Sequence, residues 1–442
     1  MRINFFCPLP PAPTEIAQHL LRILPGLAAA CDLTLWTSAP DWDKSITRHA
    51  PVIAYNPATI DTDARARSGH NVYNIGNSID LHGDIWDASR VLPGTLILHD
   101  ATLFEFAGGY FRVRHRSRDR LIDSLRAHDG EAAVQDYEAY ERGTVTLDEM
   151  CRKYPQTSLV CACATAVLIH NEAVRPTLAL PPHIPVAVAQ LPYAATARPI
   201  PPRDTSAPHR LIMFGYIGAN RCLAEALDAL ATDDIRPHFT LDIYGRVSIE
   251  PEIRATIARL GLADRVTLHG FVDDATLDRA LDTADLALVL RNPSMREASA
   301  SVLRAWDHEL PCIVSHTSWY ATLPPQTVLS CPPGDETAAL CRHLRAFLAD
   351  PAPARAAGST GRARLADAHA PSRYVAALLA LCAEAREETA PASRHLLDRV
   401  ERELAPLGAA ARHPAFLAGL GNAIAAITPD WTDNLQKIKL YY

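Results

Sequence analysis

The stretch LALVLRNPSMREASASVLRAWDHELPCIVSHTSWYATLP, residues 286–324, holds the densest set of reactive side chains. An apolar run ending at Leu290 leads into a loop, and Glu297 precedes Ser299 and Ser301 at the head of a helical pattern. Open parallel sheets bind ligands beyond the carboxyl ends of their strands. Serine hydroxyls and free backbone N–H groups at a helix start suit an anion such as a diphosphate. Glu and Ser in a first turn also fit simple helix capping, and spacing alone does not separate the two. A second loop has the same build: LIMFGYI runs into Gly215-Tyr-Ile-Gly218-Ala-Asn220-Arg221 before the helical pattern LAEALDAL. Small residues followed by an arginine let backbone and guanidinium approach a phosphate together, although an ordinary surface arginine after a turn reads the same way. In the first half, Gly76-Asn77 and His99-Asp100 end strand-like runs at one sheet edge. A strand-end histidine is commonly structural, but a position facing an interdomain cleft gives it a route to substrate.

Other chemistries find less support. No G-x-G-x-x-G follows a strand-like run, and no Walker A sequence is present, which argues against dinucleotide and P-loop enzymes. Asp61-Thr62-Asp63 resembles an Asp-x-Asp metal clamp, yet it follows the turn-like NPATI and reads as a surface loop. Cys161 and Cys163 sit in VCACATAVLI, which reads as part of a buried strand, with no second pair to complete a metal site. Neither a metal nor another cofactor is expected. The segment Tyr110 to Arg126 carries arginines at 112, 114, 116, 118, 120 and 126 against Asp119 and Asp123. It reads either as a solvated helix face or as a patch for an anionic lipid-linked sugar or membrane surface.

The elements that must position these residues follow from pattern. The chain has 442 residues, enough for two or three domains, and 43 basic against 50 acidic side chains give a net charge of −7. That balance excludes nucleic-acid binding by bulk positive charge. The start, MRINFFCPLPP, lacks the apolar core of a signal peptide, and the longest apolar run is about half a membrane span. With ten scattered cysteines, this predicts a soluble, cytoplasmic protein. Arg2 to Cys7, then IAQHLLRILPGLAAAC, then DLTLWTS form a strand–helix–strand opening, and VYNIGN, TLILHD and SLVCACATAVLIH continue the strands. After a proline-rich stretch, LIMFGYI, FTLDIYG, RVTLHGF, LALVLR, CIVSH and TVLSC begin a second series. The pattern predicts two doubly wound α/β domains, at residues 1–195 and 210–371, with a linker at 196–209 and helices at 372–442.

At these residues the sequence resembles glycosyltransferase family 4, the retaining nucleotide-sugar transferases of GT-B fold. The resemblance covers about residues 1–385. It rests on NFFCPLPPAPTEIAQHLLRILPGL, on VYNIGN-x4-His82, on LILHD, on FGYIGANR and on LRNPSMREASASVLRA, which is similar to a bacterial subgroup's Glu-x7-Glu segment. The resemblance implies that His99 faces the transferred sugar, Arg221 grips the donor diphosphate, and Glu297 holds sugar hydroxyls. It places Ser299 and Ser301 by the phosphates and Gly270-Phe271 by the nucleobase, with Gly215, Gly218 and Asn220 lining the donor site. Asn77, His82 and Asp100 fall on the acceptor side with His99. Two positions depart from the family: Arg304 stands where the second glutamate belongs, and Glu15 replaces a glycine near the donor. The implied activity is metal-independent transfer from a nucleoside-diphosphate sugar to a glycan or lipid-linked acceptor, with peripheral contact to anionic membrane. A non-catalytic binding protein of the same fold, suggested by Glu15 and Arg304, and a nucleotide-sugar epimerase are the alternatives.

Overall fold

The computed structural model describes residues 1–60, 63–182, 184–197, 199–201 and 208–387. Asp61 and Thr62 of the possible clamp, part of the 196–209 linker, and residues 388–442 of the helical extension lie outside the described residues. Asp63 caps a short helix, accepting from the amides of Arg65 and Ala66.

The first sheet contains β1 (Arg2–Phe6), β2 (Asp32–Thr37), β3 (Val52–Ala54), β4 (His70–Ile75), β5 (Gly94–Leu98), β6 (Ala164–Ile169) and β7 (Val186–Val188). Their order is β3-β2-β1-β4-β5-β6-β7, and every neighbouring pair is parallel. The central strands β4 and β5 are buried along their whole length because both faces are covered. On one face Ile3 and Phe5 of β1 pack under Ile16, Leu20, Ile23 and Leu24 of α1 (Glu15–Ala30). On the other, Phe6 joins Trp36, Tyr73 and Trp86. Trp86 belongs to α3 (Ile79–Val91), which follows α2 (Ala64–Arg67).

Between β5 and β6 lies a helical insertion: α4 (Phe104–Gly108), a π-helical turn, α5 (Arg118–Asp129), α6 (Glu131–Glu141), α7 (Leu147–Lys153) and α8 (Thr157–Val160). It has its own core of Phe104, Leu121, Leu125, Tyr137 and Met150. The apolar run expected to be one long strand is therefore divided. Thr157–Val160 is a helical turn closed by the Cys161 amide on the Thr157 carbonyl, and Cys161 and Cys163 precede the strand. Pairing with β5 begins only at Ala164. Apolar character marked burial there, and hydrogen-bond partners decided conformation.

The second sheet contains β8 (His209–Phe214), β9 (Phe239–Tyr244), β10 (Val266–Gly270), β11 (Leu286–Val289), β12 (Cys312–Ser315) and β13 (Leu329–Cys331). The order is β10-β9-β8-β11-β12-β13, again all parallel. Leu211 and Met213 face one core, with α9 (Leu223–Leu230) and α10 (Glu250–Arg259); Ile212 and Phe214 face the other. The second core takes residues from α11 (Asp274–Thr283), α12 (Ala300–Asp307), α13 (Ser318–Ala321) and α15 (Ala352–Ala368). Leu340, Leu344 and Phe347 of α14 (Glu336–Ala349) lie in the first. The last described helix, α16 (Pro371–Glu387), returns to the first sheet and buries Tyr374, Val375, Leu378, Leu381 and Cys382 against α1 and β1.

Candidate active site

In each sheet the strand order reverses between two central neighbours, β1 and β4 in the first, β8 and β11 in the second. The crevice beyond such a switch point is where open α/β sheets bind ligands, because the two following loops diverge there. The loops after β8 and β11 are the two that the sequence marked. They are stitched together: the Asn292 amide donates to the Asn220 carbonyl (2.9 Å), and Asn220 Nδ2 donates to the Pro293 carbonyl (3.3 Å). Glu336, at the start of α14, accepts from Asn292 Nδ2 (2.6 Å) and the Gly334 amide (2.9 Å), fixing the loop from behind.

Glycine makes this crevice possible. Gly215 and Gly245 have φ of +97° and +117°, and a Cβ on Gly245 would lie 2.0 Å from the Gly215 carbonyl oxygen. The Gly245 amide in turn donates to Gly270, φ +66°, at the end of β10. Phe271 beside it is 90% exposed. Gly218 precedes the turn Ala219–Arg221.

Arg221 is buried. Its Nη2 donates to the Phe214 carbonyl (2.9 Å), Nε has no partner, and no carboxylate pairs with it among the described residues. A buried guanidinium without a counter-charge is costly unless an anion completes it. Arg296, which the sequence reading passed over, is half-buried at φ +64°, with Nη1 buried and unpartnered; burial lowers its pKa. Its neighbour Glu297 is held by Arg291 Nε (2.8 Å) and Ser294 Oγ (3.2 Å). Ser299 Oγ caps α12 by accepting from the Val302 amide, so it performs the capping role, while Ser301 lies half-buried in the first turn. The two departures also have partners here. Arg304 pairs with Asp274 and Asp278 (2.8 Å each), and exposed Glu15 accepts from Arg22 (3.4 Å).

From the first sheet, loops after β4 and β5 meet. The Asn77 amide donates to Asp100 Oδ2 (2.9 Å), and its side chain bonds Glu105 and the Phe106 amide, so Asn77 ties the loops together. A Cβ on Gly76 would lie 2.5 Å from Ile16 Cδ1 and 3.4 Å from Asp100 Oδ2. Burial raises the Asp100 pKa to about 6; the Asn77 amide opposes this, and Glu297 and Glu105 add to it. The influence of Glu297 on Asp100 brings the two domains to one place, as does Met295 packing on the helical insertion. His82 lies beneath that place, its Nε2 3.0 Å from where a Cβ on Gly76 would stand. It is 1% exposed, its Nδ1 bonds the Asn74 carbonyl (3.0 Å), and burial lowers its pKa to about 4. Its side chain is buried under the end of β4, beside Gly76.

His99 is part-exposed at the cleft, with Nε2 on Asn74 Oδ1 (3.0 Å). Behind it stand His19 of α1 and His170 after β6, with ring centroids 4.7 and 4.9 Å from that of His99. Burial, then the neighbouring imidazoles, holds the His99 pKa well below its usual value. No sequence signal joined these three, because they come from separate βα units.

Residues 209–350 match the family described as Glycosyl transferases group 1. A search of curated proteins finds no match to the chain. Among solved structures, the chain is similar to Anabaena Alr3699/HepE in complex with UDP and glucose, with 14% identity and TM-score 0.59 over 86% of this chain and 99% of that one. It is also similar to a glycosyltransferase from Rickettsia africae, at 10% identity and TM-score 0.57 over 88% and 99%. Sucrose-phosphate synthase from Thermosynechococcus elongatus aligns at 15% identity and TM-score 0.55 over 86% and 98%. The chain therefore has the GT-B fold, and residues 209–350 of its second domain are similar to the group 1 glycosyl transferases.

Proposed function

We propose that the protein is a glycosyltransferase that moves a sugar from a nucleoside diphosphate, UDP or GDP, to a glycan or lipid-linked acceptor with retention of configuration. One observation carries this reading. The loops at the switch point of the second sheet are bonded to each other and carry two guanidinium groups, Arg221 and Arg296, that have no carboxylate partner among the described residues. Two cations and a helix start supply the positive potential on which a leaving diphosphate depends, so catalysis is electrostatic and needs no metal on the phosphates. Glu297, held by Arg291, accepts from sugar hydroxyls, and His99 and Asp100 line the acceptor side. The departing phosphate assists deprotonation of the acceptor. The UDP and glucose in the similar HepE structure support a nucleotide-sugar donor.

Cell-surface polysaccharide or glycoconjugate synthesis at the inner face of a membrane fits the basic segment from Tyr110 into α5. No described helix is long and apolar enough to cross a membrane. Arg114, Arg118 and Arg126 are paired with carboxylates, which leaves Arg112, Arg116 and Arg120, with exposed Val113, for anionic lipid. The deciding experiment is calorimetry with UDP and GDP, followed by incubation of the matching sugar nucleotide with acceptor and NMR of the product anomer. Affinity for neither nucleotide, or an inverted product, overturns the reading.

A further inference from the structure

Of the histidine cluster behind the cleft, only His99 has a part in the function proposed above; His19 and His170 have none. One ring nitrogen from each of His19, His99 and His170 lies within 4.8 Å of the others. His19 is 1% exposed, and neither of its ring nitrogens has a hydrogen-bond partner among the described residues; His170 is 3% exposed, and its Nε2 has none there either. Buried polar atoms are nearly always satisfied, so three orphaned ring nitrogens in one cluster mark the place of a missing ligand.

The surrounding hydrogen bonds identify its chemistry. His170 Nδ1 donates to the Ala189 carbonyl (3.1 Å), which leaves Nε2 as a lone pair directed away from that bond. Asn74 Nδ2 donates to Cys7 Sγ (3.0 Å), which assigns Oδ1 as the acceptor from His99 Nε2–H and leaves His99 Nδ1 as a lone pair. Imidazoles with one nitrogen tied to a carbonyl and the other free are the arrangement that metal-binding histidines show. All three ligands are neutral imidazoles on three separate elements, a set that suits zinc, copper or nickel and not magnesium or calcium.

We propose that His19, His99 and His170 form a site for one late first-row divalent cation, zinc foremost, that anchors the His99 ring from behind the cleft. Zinc–nitrogen bonds are about 2.0–2.1 Å, so the ring nitrogens must draw together from their present separation by small side-chain rotations. Three protein ligands leave a fourth position for water. The three histidines come from elements of the first sheet and the guanidinium groups from the second, so this site and the metal-independent transfer proposed above are separate claims, and metal binding is read without any sugar nucleotide.

The test is metal analysis of the full-length protein, dialysed against Zn2+ and then against metal-free buffer, with Co2+ substitution followed by visible absorption. The expected result is one Zn2+ per chain, a Co2+ spectrum of tetrahedral type, and at least a tenfold loss of affinity in both His19→Gln and His170→Gln. His369→Gln, which alters a buried histidine bonded to the Leu191 carbonyl, should retain binding. If the cluster variants fail to fold, X-ray absorption of the Zn2+ wild type must show imidazole ligands. Zinc at background level, with water filling the cluster, overturns the proposal, as does equal binding by folded His19→Gln and His170→Gln.

Discussion

Arg221 and Glu297 sit at one crevice with opposite charges, and their substitutions should separate donor phosphate from donor sugar. Arg221→Ala should weaken nucleoside-diphosphate binding by about 1.5–3 kcal/mol, the usual size of a charge-assisted hydrogen bond, as measured by calorimetry on the folded variant. Unchanged affinity would remove Arg221 from the site. Glu297→Gln keeps the shape and loses the charge that holds Arg291. Turnover on the intact donor should fall roughly ten- to a thousandfold, about 1.4–4 kcal/mol of barrier, while the free diphosphate binds as well or slightly better. Loss of diphosphate affinity with turnover preserved at saturating donor would contradict that assignment. Asp100 offers a pH test. Its pKa in the folded chain, about 6, lies above the ordinary carboxyl value, so the native state favours the protonated form. The stability this contributes is complete below about pH 4 and disappears as pH rises through 6. Asp100→Asn should therefore melt at a temperature close to wild type at pH 4 and higher than wild type at pH 8; equal melting temperatures at both would show that no such strain exists.

Strands and their end loops were the readable part of the sequence. β1, β2, β4, β5 and β8 to β13 each announce themselves as short apolar or alternating runs, the patterns that strands buried on one or both faces require. β3 and β7 do not, since three-residue edge strands bury only part of their side chains. The insertion at 104–160 was legible as helix in places, but not as a satellite with its own core. At the site, Arg221 and Glu297 were visible through loop chemistry, whereas Arg296 was masked by its backbone: nothing in NPSMRE announces a left-handed arginine with a buried, unpaired nitrogen. The histidine trio was hidden by distance along the chain. Close approach of β8 and β9 at their ends gives an element-level test. Gly245→Ala places a methyl against the Gly215 carbonyl at a φ that L residues avoid, and it should cost at least about 2 kcal/mol in urea unfolding. A smaller loss would mean that the two loops can separate.

The two sheets share more than a linker. Chain continuity joins them once between β7 and β8 and again between α15 and α16, and α16 seals the face of the first sheet that α1 leaves open. Its Tyr374, Val375, Leu378 and Leu381 are each worth roughly 1.5–3 kcal/mol when buried, together comparable with the whole stability of a typical domain. A chain ending at Ala370 should therefore aggregate or unfold in its first domain, as read by hydrogen exchange at β1 and α1; native protection there would show the cover to be dispensable. The two crossings also lie side by side. The Tyr193 amide donates to the His369 carbonyl (2.8 Å), and His369 Nδ1 bonds the Leu191 carbonyl (2.8 Å). A single tether lets two bodies twist as well as open. Two tethers bonded to each other at one place resist twisting, so the halves are left with one easy rotation, like pages turning about a spine. An opening of the crevice about that one axis would move the groups of the two sheets along a single arc and return Asp100 and Glu297 to the same register.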